Sequence, residues 1–358
     1  MSEMTDRLDR ETEGEREASV SRRAFLDKSG ALTGAALVGF LPGRAGASGL
    51  ADAPPPAAAG ADREAGTTKG EIPRRILGRT GERVSIIGLG TACMGEGPQD
   101  ARECAAVFAE AIDHGINYVD TARIYGDAEE ALGQVLKTRR DKVFLVTKCM
   151  TDSRGAAEES FEKSLRELNV DHVDLLHLHS AGDRDLDQVL APGGVLDYFL
   201  KLKEAGKTRF LGISGHSRPR QFLRMIATDK IDVMMVAMNF VDRHTYGFET
   251  KVLPAAREKN LGVMAMKVFG GIRGGFSRNR ERRPSQLDAV YLQIAVRYAL
   301  GIEGVTGVVI GVHDAEELRQ NIRYVLGAPP LSQAERTALE AHGKRIAEEW
   351  GPRFGPVA

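Results

Sequence analysis

Four side chains that could take part in proton transfer lie at or just after the ends of three short apolar runs. Asp120 ends "INYVD", Tyr125 follows it within "TARIYG", Lys148 ends "VFLVTK" and His179 ends "VDLLHLH". A carboxylate, a phenol, an amine and an imidazole are groups that general acid–base chemistry uses. Charges at the ends of apolar strands are costly to bury unless they are paired, and Asp120 can pair with Lys148. Unless the four groups meet, Asp120 could simply cap a turn and Tyr125 could serve only in packing.

Strand-like and helix-like segments alternate along the chain and decide whether those groups can meet. The apolar runs lie at residues 84–87, 116–119, 143–148, 173–179, 208–214, 231–238, 261–267 and 307–311. Helix-period segments lie at 101–114, 128–138, 156–169, 196–205, 218–227, 249–260, 286–300 and 315–326. Eight strands, each followed by a helix, predict an α/β fold, a (β/α)8 TIM barrel, with an N-terminal β-hairpin from "RRILGRTGERVS".

A doubly wound open sheet is the alternative to a barrel. It is disfavoured because no Gly-x-Gly-x-x-Gly sequence opens the first helix. In a barrel the carboxyl ends of all eight strands meet at one face, where chemistry is placed. The four side chains are therefore expected to converge there.

The composition is that of an ordinary globular protein. The 358 residues are 42% hydrophobic and 28% charged, with a formal net charge of −1. A sizeable core is therefore possible, and nothing favours nucleic acid as a partner. The three cysteines, Cys93, Cys104 and Cys149, are too few and too irregularly spaced for a disulfide framework or a zinc ribbon. They are expected to be small buried hydrophobic residues.

The first 70 residues differ from the rest and predict an exported protein. "SRRAFL" is followed by the apolar "SGALTGAALVGF" and by Ala-Gly-Ala at 45–47. This order is typical of a secretory signal and resembles the twin-arginine type, which makes the export machinery a partner and the periplasm or cell envelope the destination. The apolar stretch 31–41 is too short to span a bilayer, so no stable membrane anchor is expected in the mature form. The predicted domains are the signal peptide 1–47, a disordered linker 48–70, the barrel 71–330, and a C-terminal helix and tail 331–358.

Several segments together resemble the aldo/keto reductase family. They are "INYVDTARIYG…EEALG", "VFLVTK", "DHVDLLHLHS", "GKTRFLGIS" and "VVIG…LRQN", which occur in the family's order from about residue 74 to residue 321. The resemblance implies an enzyme that transfers hydride from NAD(P)H to a small aldehyde or ketone. It makes Tyr125 the general acid, with Lys148 beside it to lower the phenol pKa and Asp120 to hold the lysine. His179 would orient the carbonyl and stabilise charge on its oxygen.

The resemblance also assigns residues to the cofactor, NADP(H) or NAD(H). They are Thr91, Ser214, Gly215, Met235, Met266, Lys267, Gly311, Glu317 and Asn321. Ser214 would hold the nicotinamide carboxamide. The family usually has asparagine where this chain has Gly215, glutamine where it has Met235 and often an aromatic residue where it has Met266. Methionine can cover a ring face, so the nicotinamide pocket is expected to be divergent.

The adenosine end of the cofactor site carries an acid in this chain. Many members of the family bind the 2′-phosphate with basic residues in this segment, where the chain has Gly311 and Glu317. An acid repels a phosphate but can bond a free 2′-hydroxyl, which predicts weakened NADP(H) discrimination or a preference for NAD(H). Arg319 or His313 could restore the positive charge. Arginines at 273, 278, 280, 282 and 283 could fold over the pyrophosphate or form a solvated loop.

Two other readings of the site remain open at this point. His177 and His179 have metal-ligand spacing on a strand, and a metal-dependent barrel hydrolase would add ligands such as His216. A nucleotide-binding barrel with little turnover, acting as a redox-sensing or regulatory subunit, is the other. Trp350 could line the pocket or anchor the last helix.

Overall fold

The computed structural model describes residues 71–273, 284–327 and 329–358. The predicted signal peptide 1–47 and linker 48–70 lie outside the described residues. So do the arginines at 278, 280, 282 and 283. In the described part of the chain, no helix is both long and apolar enough to cross a bilayer.

A two-stranded hairpin precedes the barrel. Strands β1 (Arg74–Ile76) and β2 (Arg83–Ser85) pair antiparallel. Gly81 ends the turn between them with a left-handed φ of 74°, a conformation that favours glycine. The predicted apolar strand 84–87 is wrong, because Val84 belongs to the hairpin and the first barrel strand begins at Ile87. In the sequence Val84 resembles a residue of a barrel strand, because its buried side chain belongs to the same apolar cluster as Tyr118 and Phe144 inside the barrel.

Eight parallel strands form the closed barrel that the sequence predicts. They are β3 (Ile87–Gly90), β4 (Tyr118–Asp120), β5 (Phe144–Cys149), β6 (Val173–Leu178), β7 (Thr208–Gly215), β8 (Val233–Ala237), β9 (Gly262–Met266) and β10 (Gly307–Gly311). Each pairs with the next in the chain, and β10 closes the sheet on β3 through the register Gly311↔Gly90. The strands are buried on both faces, which is why they are continuous apolar runs rather than alternating ones.

Helices surround the barrel and pack their apolar faces on it. Within the described residues they are α1 (Ala92–Gly95), α2 (Ala101–Asp113), α3 (Ala128–Arg139), α4 (Arg154–Leu168), α5 (Leu186–Leu190), α6 (Val195–Glu204), α7 (Pro219–Ala227), α8 (Asp242–Thr245), α9 (Phe248–Lys251), α10 (Leu253–Glu258), α11 (Leu292–Leu300), α12 (Ala315–Leu326) and α13 (Gln333–Trp350). The single helix predicted at 249–260 is wrong. Pro254 has no N–H and lies in the first turn of α10, so the segment breaks at Val252 into α9 and α10.

Candidate active site

The barrel register places the four predicted catalytic residues at one end. Asp120 is the last residue of β4, Lys148 is near the end of β5, and His179 immediately follows β6. Because side chains alternate along a strand, Lys148 faces the barrel interior with its register partner His177 and with the interior residue Val146. Three neighbouring strands thus deliver their polar groups to the same face.

Lys148 joins Asp120 to Tyr125. Its Nζ donates to Asp120 Oδ2 at 2.7 Å and to the Thr121 carbonyl at 2.8 Å, and lies 3.3 Å from the Tyr125 hydroxyl. The lysine side chain is fully buried and the Asp120 side chain nearly so. Burial raises the pKa of Asp120 and lowers the pKa of Lys148, and each charge opposes the other's shift. The predicted ion pair is therefore the main compensation that the two charges have for leaving water, since each is the largest charge opposing the other's pKa shift.

The structure corrects the expected pKa of Tyr125. Burial, followed by the Asp120 carboxylate, raises the pKa of Tyr125 well above 10, whereas Lys148 was expected to lower it. The main physical reason is burial, which disfavours the phenolate, and the second is the Asp120 carboxylate, which lies 2.7 Å from the ammonium and offsets its field. Tyr125 is therefore a protonated phenol at neutral pH, held beside a cation that can stabilise its anion.

His179 meets Tyr125 from the neighbouring side. The two rings pack edge to face with centroids 5.7 Å apart. Burial, followed by the Lys148 charge, lowers the pKa of His179 well below 6.5, so the imidazole is neutral at physiological pH. Its Nδ1 is buried and has no hydrogen-bond partner among the described residues. A neutral imidazole can donate one N–H to an acceptor placed between it and Tyr125.

A cavity of about 500 Å³ begins at this cluster and runs along the strand ends. It extends from Asp120 and Tyr125 to the first turns of α12. Its wall combines apolar, sulfur-containing and polar groups, and the lining residues are Gly90, Ala92, Cys93, Asp120, Tyr125, Met235, Met266, Lys267, Val268, Phe269, Gly271, Ile272, Pro284, Ser285, Leu292, Val309, Ile310, Gly311, His313, Glu317, Gln320, Asn321 and Tyr324. The cavity is thus long enough to join the predicted catalytic end to the predicted adenosine end.

Six of the nine predicted cofactor residues line this cavity. They are Met235, Met266, Lys267, Gly311, Glu317 and Asn321. Thr91, Ser214 and Gly215 are not among its lining residues. Thr91 is fully buried, and both its N–H and its Oγ1 donate to the Asp120 carbonyl at 3.0 Å, so it fixes the backbone of the catalytic carboxylate.

Ser214 and Gly215 end strand β7 close to the catalytic cluster. Ser214 Oγ is fully buried and has no hydrogen-bond partner among the described residues. A Cβ added to Gly215 would lie 3.0 Å from the ring of Phe222 and 3.4 Å from Ser180 Cα. Phe222 and Ser180 thus occupy the space next to Gly215, the position at which the resemblance to the family implies asparagine.

Lys267 is the one lysine or arginine among the described residues that line the cavity. It follows β9 with a left-handed φ of 55°, which is unusual for a residue other than glycine. Burial lowers its pKa to about 8, while Cys93 and Glu96 oppose that shift. Cys93 also lines the cavity, and burial raises its pKa to about 11, so it is a neutral thiol.

The far end of the cavity is acidic. Glu317 Oε2 accepts from the N–H and from Nδ1 of His313, at 2.8 and 3.0 Å. Asp314 caps α12 by accepting from the Glu317 N–H at 2.8 Å. Arg319 donates to both carboxylate oxygens of Glu110, at 2.7 and 3.1 Å, and does not line the cavity. Of the two residues that could have restored positive charge, Arg319 is thus paired elsewhere and His313 is tied to the acid itself.

The metal-dependent alternative finds no donor set in the described residues, since no group of three or more His, Cys, Asp or Glu side chains is arranged to hold an ion there. His177 is fully buried, and its Nδ1 lies 2.4 Å from the position that a Cβ on Gly212 would occupy. His216 instead packs its ring on Phe354, with centroids 5.2 Å apart. His177 therefore owes its place to the missing side chain at Gly212.

Several residues that shape the site were missed in the sequence. Cys93, Gln320 and Tyr324 line the cavity, and Asn239 donates to the carbonyl of Lys267 in its wall while also donating to Asp242. The Asn-x-x-Asp spacing after strand β8 could have been noticed, since Asn239 caps the following turn. Trp350 does not line the cavity and packs at Gly270, and Arg273 pairs with Asp288 at 2.9 Å.

The barrel and the Tyr–Lys–Asp–His cluster define a class of protein, the (β/α)8 barrels with proton-transfer groups at the carboxyl ends of their strands. Residues 86–290, more than half of the chain, match the aldo/keto reductase family. The chain belongs to that family. It is 28% identical to the L-galactose dehydrogenase of Arabidopsis thaliana over 302 residues, covering 75% of this chain and 93% of the relative.

Other relatives and solved structures agree with this membership. The methylglyoxal reductase of Escherichia coli is 30% identical over 202 residues, covering 54% of this chain and 68% of that protein. An aldo/keto reductase of Klebsiella pneumoniae, solved in complex with NADP and acetate, is 25% identical with a TM-score of 0.61, covering 76% and 96%. A putative aldo-keto reductase of Pseudomonas aeruginosa is 28% identical with a TM-score of 0.59, covering 70% and 93%.

Proposed function

We propose that this protein reduces a small aldehyde or ketone with NADP(H) or NAD(H), and that Tyr125 is the general acid. The observation that carries the proposal is the position of Lys148 Nζ, which lies 2.7 Å from Asp120 Oδ2 and 3.3 Å from the Tyr125 hydroxyl at the end of the cavity. Family membership supports a reductase, and related structures were solved with NADP or NADPH.

The residues around the cavity fit a nicotinamide nucleotide. Met235 and Met266 offer soft, apolar surface for a ring. Ser214 Oγ has no hydrogen-bond partner among the described residues, but Ser214 is fully buried and does not line the cavity, so a contact with the carboxamide would require its side chain to become accessible. Lys267 is placed to neutralise a pyrophosphate, and Asn321 lies at the far end for the adenosine. When bound, the nucleotide supplies the hydride that reduces the carbonyl carbon.

Tyr125 would supply the proton that completes the alcohol. Its raised pKa keeps the hydroxyl protonated until the carbonyl oxygen, on gaining negative charge, becomes a stronger base than the phenolate. The resulting phenolate then lies 3.3 Å from the Lys148 ammonium, which stabilises it. The proton therefore moves from the Tyr125 oxygen to the substrate oxygen, and solvent restores it afterwards.

His179 would orient the substrate. Its neutral ring, edge to face with Tyr125, can donate an N–H to the carbonyl oxygen while that oxygen faces the phenol. A protonated imidazole would compete with Tyr125 as acid, so the low pKa keeps the two roles separate.

The acidic end of the cavity supports a preference for NAD(H) over NADP(H). A 2′-phosphate at this end would approach Glu317, which lines the cavity, and Arg319 is held away by Glu110. A free 2′-hydroxyl could donate to the Glu317 carboxylate instead. Coulomb repulsion over about 4 Å amounts to roughly 1 to 4 kcal/mol in hydrated to partly buried surroundings.

Replacement of Tyr125 by phenylalanine tests the proposed activity. The change keeps the ring and its packing on His179 but removes the proton donor, so kcat for an aldehyde and ketone panel is expected to fall by about 10² to 10⁴-fold. Nucleotide Kd should stay within about twofold, because the hydroxyl serves the reaction and not the binding. Unchanged turnover in the variant would remove Tyr125 from the mechanism, and a wild type that binds nucleotide without turnover would favour the regulatory alternative.

We also propose that the protein is exported through a twin-arginine route, which the "SRRAFL" sequence supports. Residues 1–70 fused to a reporter that is active only after export of the folded domain should deliver it to the cell envelope. Replacing Arg22 and Arg23 with lysine should abolish delivery. Retention of the wild-type fusion in the cytoplasm would refute the proposal.

A further inference from the structure

The C-terminal tail, residues 351–358, crosses the loops that follow three neighbouring strands. The Arg218 N–H after β7 donates to the Pro356 carbonyl at 3.0 Å. The Tyr246 hydroxyl after β8 donates to the Gly355 carbonyl at 3.1 Å and accepts from the Phe354 N–H at 2.7 Å. The preceding helix α13 approaches closely too, since a Cβ on Gly343 would lie 2.0 Å from the Phe240 carbonyl oxygen. The tail is thus fixed at several points on the carboxyl face of the barrel.

Arg353 makes the strongest of these attachments. Its two terminal nitrogens each donate at 2.8 Å to one oxygen of the Asp242 carboxylate, whose side chain is fully buried. The guanidinium also donates twice to the Gly270 carbonyl, at 2.9 and 3.1 Å, and lies over the rings of Trp350 and Phe354. A bidentate pair of this kind fixes orientation as well as distance.

The contacts of Arg353 continue to the cavity wall. Asn239 Nδ2 donates to Asp242 Oδ2 at 2.5 Å and to the Lys267 carbonyl at 2.9 Å. The Gly270 N–H donates to the same carbonyl at 2.8 Å and closes the turn from Lys267 to Gly270. Arg353 therefore holds this turn at both ends, through Asp242 and Asn239 at Lys267 and directly at Gly270.

The braced turn forms one side of the cavity. Lys267, Gly270 and Gly271 all have left-handed φ values, 55°, 76° and 84°, and for a lysine this conformation persists only when its surroundings impose it. Residues 267–269 and 271–272 line the cavity, while the tail packs against the back of the turn. No described residue of 351–358 is among the lining residues.

We propose that Arg353 is a positioning residue for nucleotide binding, which acts by bracing the turn that presents Lys267 to the cavity. The inference rests on the proposed function, since it assumes that the cavity takes a nicotinamide nucleotide. The ligand of Lys267 is the pyrophosphate, and the tail sets the geometry of that contact without touching the ligand. By linkage, nucleotide binding must also stabilise the docked tail.

The experiment measures nucleotide affinity in full-length variants by calorimetry, with NAD⁺ and NADP⁺ as probes. Arg353→Ala is expected to weaken the better-bound nucleotide by up to about fivefold, because a brace that acts through Lys267 cannot cost more than the Lys267 contact itself. Arg353→Lys keeps the positive charge but loses the two-nitrogen contact with the Asp242 carboxylate, so a smaller loss of nucleotide affinity is expected. Arg345→Ala is the control, because Arg345 is exposed on α13, the helix that precedes the tail, and its side chain hydrogen-bonds to His342 rather than to the turn.

A double-mutant cycle separates bracing from general damage. If Arg353 acts through Lys267, then Arg353→Ala should cost little more affinity once Lys267 is methionine. Additive losses would overturn the proposal, as would an unchanged Kd in both Arg353 variants that remain folded. Failure of the wild type to bind either nucleotide would instead refute the proposed function. The wild-type titration is done first, so this outcome is seen before any variant is measured.

Trp350 gives a second, independent readout. It is the only tryptophan in the sequence, and Arg353 lies 4.1 Å from its ring centroid. Saturating NAD⁺ or NADP⁺ should therefore change the tryptophan emission of the wild type and of Arg345→Ala, although Trp350 does not line the cavity. If the tryptophan emission of the wild type does not change when nucleotide binds, the linkage between tail and cavity is contradicted.

Discussion

The two ends of the cavity are built in different ways. At the catalytic end, Asp120 and Lys148 come from adjacent parallel strands and His179 immediately follows the next strand, so the barrel register sets their positions. Tyr125 is the one catalytic residue of the four that lies on a loop away from its strand end. At the nucleotide end, Lys267 and Glu317 lie on a left-handed turn and on the first turn of a helix, whose positions depend on other loops and on the tail. Strand ends give fixed geometry, whereas loops give adjustable geometry.

This difference predicts which changes affect chemistry and which affect affinity. The catalytic end holds a charged pair that cannot be altered without loss, because each charge is buried and compensates the other. The nucleotide end faces more water, and its charges are partly exposed. Substitutions there should shift binding by smaller factors and leave the proton-transfer groups in place.

The largest effect is expected from Lys148→Met. Removing the cation takes the stabilising charge from the Tyr125 phenolate, so kcat should fall by about 10² to 10⁴-fold, with nucleotide Kd nearly unchanged because Lys148 does not line the cavity. The unpaired Asp120 should lower the free energy of unfolding by about 3 to 5 kcal/mol. Steady-state kinetics and urea unfolding measure the two effects.

Two variants isolate the role of Lys148. Lys142→Met changes an exposed lysine just before the same strand and should alter neither kcat nor stability. Lys148→Met combined with Asp120→Asn should recover stability, because no charge is left buried, but not kcat. Recovery of kcat in the double variant would show that Lys148 only compensates the buried charge of Asp120 and does not stabilise the Tyr125 phenolate.

The catalytic end could be predicted from the sequence because it follows from local pattern. The hydrophobic pattern and the length of the apolar runs identified the strands. Because the carboxyl ends of all strands of a barrel lie at one face, Asp120, Lys148 and His179 could be placed together without any knowledge of the loops. Val84 was assigned to the wrong strand because this hairpin residue packs in the same apolar cluster as residues inside the barrel and is just as apolar. The sign of the Tyr125 pKa shift also failed, since it depends on burial that a sequence does not contain.

The nucleotide end could be predicted only in part. The acidic character of Glu317 is visible in the sequence, but its bonds to His313 and the pairing of Arg319 with Glu110 are not. Arg353 and Asp242 are 111 residues apart, and no local pattern connects them. The brace behind Lys267 therefore becomes visible only when the chain is folded.

A smaller effect is expected from Glu317→Gln, and it concerns cofactor choice. The wild type should bind NADH more tightly than NADPH, and the variant should narrow the ratio of the two Kd values by about tenfold, equivalent to about 1.4 kcal/mol. High salt should narrow the wild-type ratio in the same direction, because exposed charges are screened. Glu316→Gln, which changes an exposed acid paired with Arg323, is the control. A wild type that prefers NADPH would contradict the assignment of Glu317.

The smallest effect is a pH dependence of nucleotide binding that arises from Lys267. Burial lowers the pKa of Lys267 to about 8, so the ammonium is charged below that pH and loses its proton as the pH rises through it. Nucleotide affinity should therefore be highest below pH 8 and fall by about fivefold above it, as expected for a contact of about 1 kcal/mol. The pKa of Lys267 should be higher in the complex than in the free protein, because a phosphate favours the charged form. Lys267→Arg stays charged and should bind without this pH step, while Lys267→Met should match the high-pH affinity of the wild type throughout. A step that persists in both variants would belong to another group and would remove Lys267 from the pyrophosphate contact.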